Sequence, residues 1–66
     1  MNERLKEIRL EKGFTQKQLA IAVGLTETAL CNYEKGIREP SLDVFKQLCI
    51  VLEVSSDYLL GLTDDY

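Results

Sequence analysis

Histidine is absent from this 66-residue chain, proline occurs once, and the two cysteines, Cys31 and Cys49, stand 18 residues apart. Without histidine, and without cysteines or carboxylates grouped at ligand spacing, the chain offers no zinc-ligand set and no acid–base cluster. No glycine-rich phosphate loop precedes a helix. An enzyme is therefore not expected, and neither is a metal or a cofactor. No apolar run reaches the roughly 18 residues of a membrane span. The start, Met-Asn-Glu-Arg-Leu-Lys-Glu, is charged where a signal peptide would be apolar. A cytoplasmic location without membrane contact is the expectation, and the two cysteines read as free thiols.

What is present is a chain of ordinary globular composition, 45% hydrophobic, with a net charge of −3. Its length has no room for two cores, so one domain over residues 1–66 is expected. A chain this short buries only about 60% of its unfolded surface, so it must rely on dense apolar packing or on dimerisation. A closed pocket for a small-molecule effector is not expected at this size. The acidic balance alone counts against a nucleic-acid partner, but its distribution permits one without demonstrating it. Residues 53–66 hold Glu53, Asp57, Asp64 and Asp65 and no lysine or arginine, a charge of −4. Residues 1–52 hold eight basic and seven acidic side chains, a charge of +1. The acid is concentrated at the C-terminal end.

Residues 15–34 carry the clearest pattern. Thr15 with Gln18 three residues on forms a capping box, and Leu19, Ala20 and Val23 follow on one helical side. Gly24 supplies the left-handed conformation that ends a helix. Leu25 is the apolar residue after the turn, Thr26 caps a second helix, and Leu30 and Tyr33 continue its buried side. Two helices meeting at a steep angle need a small residue near the crossing (Ala20), positive φ in the turn (Gly24) and an apolar plug (Leu30). That spacing predicts a helix-turn-helix over about 16–34, whose second helix can enter a DNA major groove. The same spacing also suits an αα-corner that binds nothing.

The rest of the chain predicts three more helices and no strands. Helix one covers about 3–12, with Asn2 as its cap, Leu5 and Ile8 as its apolar stripe and Gly13 at its end. Phe14 packs into the core. Helices two and three cover about 16–23 and 27–34. Gly36 and Pro40 punctuate the loop from Lys35 to Ser41. Ser41 caps a fourth helix, about 42–53, with Leu42, Phe45, Leu48, Cys49 and Leu52 on its core face. Ser55 caps a fifth, about 56–61, with Tyr58, Leu59 and Leu62 pointing inward or into a partner. Residues 63–66 read as a frayed tail.

Three ordered segments, RLKEIRLEKGFTQKQLA (4–20), VGLTETALCNYEKGIREPSLD (23–43) and LEVSSDYLLG (52–61), resemble the lambda-repressor/Cro-like (XRE) helix-turn-helix family across nearly the whole chain. The resemblance implies an all-α, five-helix domain that binds operator-like double-stranded DNA, often as a two-fold homodimer.

Helical stepping puts Glu27, Thr28, Cys31, Asn32 and Lys35 on the outward face of helix three. Asn bonds adenine, Glu accepts from cytosine, and Thr serves either way or touches a thymine methyl. Glu27, Thr28 and Asn32 are thus the expected base readers, and they match the family's base-contacting positions. Lys17, Lys35 and Arg38 are the nearby cations for phosphate attraction. The resemblance implies a phosphate contact by Gln16, joined by the amides at that helix start. It also implies a partly buried ion pair between Arg9 and Glu34, orienting helix three. Cys31 reads as a small, near-neutral member of the face; the sharper alternative is an oxidation-sensitive thiol. Ile37, Ile50, Val51, Leu60 and Leu62 either finish the core or self-associate. A protein-interaction module of the same fold, antitoxin-like or anti-repressor, is the second functional reading.

Overall fold

The structure, a computed structural model, describes residues 2–65. Among these residues the chain forms five helices and no strand: α1 (Asn2–Glu11), α2 (Gln16–Ala22), α3 (Glu27–Lys35), α4 (Leu42–Leu52) and α5 (Ser56–Leu59). Helix α3 packs against both α1 and α2, while α5 joins α4 to α1. Leu5, Ile8, Leu19, Leu30, Leu48, Leu52 and Leu59 are fully buried where these helices meet. Ala20, nearly as buried, keeps the α2–α3 crossing close. Phe14, Leu25 and Tyr33 lie half-buried against this core.

The starts of the helices follow from hydroxyl caps. The Thr15 hydroxyl accepts from the Gln18 amide at 3.0 Å, and the Gln18 side chain accepts from the Thr15 amide at 3.0 Å. Thr26, Ser41 and Ser55 accept from Ala29, Val44 and Tyr58 in the same way. Asn2 is the first helical residue of α1 rather than its cap.

The ends share one device. After each helix the chain turns left-handed, and the next amide donates back across the last turn, as Leu25 does to the Ala20 carbonyl at 2.8 Å. Four of these left-handed positions are glycines; at Gly24 (φ +74°) a Cβ would meet open space, so backbone conformation, not crowding, selects glycine there. The fifth is Glu53 at φ 57°, closing α4 beneath the Val54 amide bond to Cys49. A side chain there costs about 1–2 kcal/mol relative to right-handed backbone. Glu53→Gly is therefore expected to stabilise the fold by about 0.5–1 kcal/mol after glycine's own entropy cost. In a thermal melt this is a rise in Tm of roughly 2–8 °C; an unchanged or lower Tm would show that the glutamate side chain compensates.

Two further expectations from the sequence fail here. Leu42 does not join the core: it is 74% exposed, while Leu48 and Leu52 are fully buried and Phe45 and Cys49 half-buried. The reason is length. Helix α5 is a single turn of four residues, too short to cover the eleven residues of α4. It also ends at Leu59 rather than near residue 61, and Leu62 is exposed. Burial pushes the Cys49 thiol up, which keeps it protonated.

The second failure is the tail, which within residues 63–65 is held down; Tyr66 lies outside the described residues. Arg4 donates Nη1 to the Thr63 carbonyl at 3.0 Å and Nη2 to Asp64 at 2.6 Å. Its guanidinium also lies over the Tyr58 ring, 4.7 Å from the centroid. The Asp64 hydrogen bond holds the guanidinium above its ordinary pKa.

Candidate nucleic-acid interface

Helix α3 is fixed on its inner side by Leu30 and by a buried ion pair. Arg9, reaching from α1, donates Nε to Glu34 Oε2 at 2.7 Å and Nη2 to Glu34 Oε1 at 3.1 Å. Its remaining Nη1 donates to the Phe14 carbonyl at 2.9 Å, so the guanidinium also pins the α1–α2 turn. The two side chains are 7% and 3% exposed. Such a planar fork holds a carboxylate in one orientation, and it ties the last turn of α3 to α1.

The opposite side of α3 faces outward. Gln16, Glu27, Thr28, Cys31, Asn32 and Lys35 line an open groove of about 310 Å³. Glu27, Thr28 and Lys35 are exposed, and Gln16, Cys31 and Asn32 are half-buried. The stepping that put five of these on one face is thus realised, and the start of α2 adds Gln16 to them. Glu27 stands in the first turn of α3 and Lys35 in the last, each at the end of the helix dipole that suits its charge. Lys17 and Arg38 are exposed but lie outside this groove; Arg38 instead lines a small cleft with Asn2, Tyr33, Gly36 and Glu39. Cys31 and Cys49 are both free thiols.

One contact was not visible in the sequence. The Gln16 side chain donates Nε2 to Glu34 Oε1 at 3.2 Å, so the carboxylate that pairs with Arg9 also holds the first residue of α2. Nothing local signals this bond between residues 18 apart in sequence; only the α2–α3 crossing brings them together.

A capped helix, a left-handed glycine, a second capped helix with a polar outer face and a buried plug define a helix-turn-helix. The chain belongs to the helix-turn-helix family, whose model matches residues 5–59, and within it to the lambda-repressor-like (XRE) type. It is similar to the HTH-type transcriptional regulator ImmR of Bacillus subtilis (strain 168), with 41% identity over 61 residues, 92% of this chain and 48% of that protein. It is also similar to two structures solved with DNA. One is the P22 c2 repressor with a synthetic operator, at TM-score 0.88 and 29% identity, covering 94% of each chain. The other is SinR, the master regulator for biofilm formation, in complex with DNA, at TM-score 0.83 and 30% identity, covering 89% of this chain and 98% of that one. The chain spans about half the length of the curated relatives it matches. No helix among the described residues is long and apolar enough to cross a membrane.

Proposed function

We propose that residues 1–66 are one DNA-binding domain of a cytoplasmic transcriptional regulator, a repressor that reads an inverted-repeat operator as a homodimer. The observation that carries this reading is the outer groove of α3, where Glu27, Thr28 and Asn32 stand beside Gln16 and Lys35 on a helix locked from behind by Arg9 and Glu34. With α3 in the major groove, Thr28 would reach base edges from the helix's first turn and Asn32 from one turn further on, and Glu27 would accept from a cytosine amine. Gln16, Lys17, Lys35 and Arg38 would hold the phosphates on either side. The DNA complexes of the P22 c2 repressor and SinR support the reading.

The surface for the second copy is the apolar face around Leu42, Phe45 and Leu60, which line an open groove of about 390 Å³ with Glu39 and Pro40. Ile37 and Leu62 are also exposed. Burying such a face is the expected use of an apolar patch. An inverted-repeat operator requires the two α3 helices to sit about 34 Å apart, one helical turn of DNA. Leu60→Glu, a change at a half-exposed site (52%), is expected to leave the fold intact and yield monomers by light scattering. A variant that still dimerises would move the interface elsewhere.

The test of the whole reading is selection from a random duplex library, with the stoichiometry of the bound complex measured. An enriched inverted repeat carrying two chains is expected. Absence of enrichment would favour the protein-interaction module of the same fold.

A further inference from the structure

The buried pair behind α3 has a third member, and its hydrogen-bond chemistry is one-sided. A carboxylate only accepts, so the Gln16 amide must present its nitrogen, not its oxygen, to Glu34 Oε1 at 3.2 Å. That nitrogen carries two N–H groups, and one of them is occupied by Glu34. Gln16 is half-buried and lines the α3 groove, so the amide that bonds Glu34 belongs to a side chain in the groove wall. Arg9 neutralises the Glu34 charge through two bonds, at 2.7 and 3.1 Å. The carboxylate therefore orients the amide without presenting a net negative charge to an incoming anion.

We infer that Glu34 is a positioning residue for a phosphate contact: it holds the Gln16 amide nitrogen so that its free N–H points at a phosphodiester oxygen. The inference rests on the DNA-binding reading above and adds to it the residue through which the contact is set. Left to itself, a glutamine side chain rotates among several rotamers, and its amide can present oxygen as readily as nitrogen. Oxygen facing a phosphate would repel it. With Glu34 in place the donor is oriented before DNA arrives, and the ordering cost falls on folding rather than on binding. The same carboxylate links α1, α2 and α3, so the phosphate contact is built in register with the helix that reads bases.

The test is a double-mutant cycle with Gln16→Ala, Glu34→Gln and the two combined, each titrated against the duplex enriched in the selection above. A thermal melt of each variant accompanies the titrations. Gln16→Ala is expected to weaken binding about tenfold, the loss of one hydrogen bond to a charged acceptor. Glu34→Gln is expected to weaken it about fivefold in the parent and less than about twofold in the Gln16→Ala background. Equal losses in both backgrounds would give Glu34 a purely structural role and overturn the inference. Should Glu34→Gln fail to fold, the parent protein decides by NMR. A rigid Gln16 side-chain amide in the free protein, with one Nε2 proton shifting on DNA addition, supports the inference, and a freely mobile one overturns it. A parent chain that binds no duplex would overturn the DNA-binding reading itself, an outcome distinct from binding that shows no coupling.

Discussion

Glu34→Ala is expected to lower the Tm by more than about 15 °C and to leave much of the protein unfolded at 37 °C. The substitution removes the acceptor of two of the three Arg9 hydrogen bonds and leaves a guanidinium whose side chain is 7% exposed facing a cavity. Breaking a buried pair from one side costs about 3–5 kcal/mol, because the remaining charge stays desolvated without compensation. A chain of this length has a total stability of roughly 3–10 kcal/mol. The loss is therefore a large fraction of the whole.

The sign reverses when both members go. Arg9→Met with Glu34→Leu removes the two desolvation penalties together and fills the space with apolar volume. It is expected to recover most of the lost Tm while DNA binding stays impaired, because Gln16 no longer has its carboxylate. Circular-dichroism melts of the single and double variants check this. A Glu34→Ala protein melting within about 2 °C of the parent would mean that the pair contributes nothing to the fold.

The second large effect is on binding. Lys17, Lys35 and Arg38 are exposed cations around the α3 face. If each neutralises one phosphate, log affinity falls against log salt with a slope of about −2.7 per chain. Between 50 and 200 mM salt that is a loss of about 40-fold for one chain and roughly 2,000-fold for a pair. Replacing Lys35 with Met should reduce the slope by about 0.9 per chain while leaving sequence preference intact. A slope near zero would remove all three cations from the phosphate contacts. The net charge of −3 makes this measurement more informative, since the attraction must come from a local patch and not from the whole molecule.

The helices were legible in the sequence because their signals are local. Thr15, Thr26, Ser41 and Ser55 cap the helices they were expected to cap, and the boundaries of α2 and α3 fall within a residue of expectation. The polar face of α3 was equally readable, because helical stepping alone assigns side chains to faces. Leu42 was misplaced for the opposite reason. Periodicity marks an apolar stripe, but whether it is covered depends on how far the neighbouring helix reaches, and α5 stops after one turn. Glu53 escaped notice because a left-handed closure is signalled by glycine, and here the α4 turn imposes that conformation on a residue that does not favour it.

Arg4 and Gln16 mark the limit most clearly. Arg4 meets Thr63 and Asp64 across 59 and 60 residues, and Gln16 meets Glu34 across 18. No spacing rule connects such positions. Order along the chain sets caps, turns, apolar stripes and the side chains available on each face, because these depend on neighbours within one or two turns. The packing of α1 against α3 and α5 sets which charges meet, which amide points at which carboxylate and which leucines stay outside. Those outcomes depend on distances between elements, and a short helix or a steep crossing changes them without altering any local pattern.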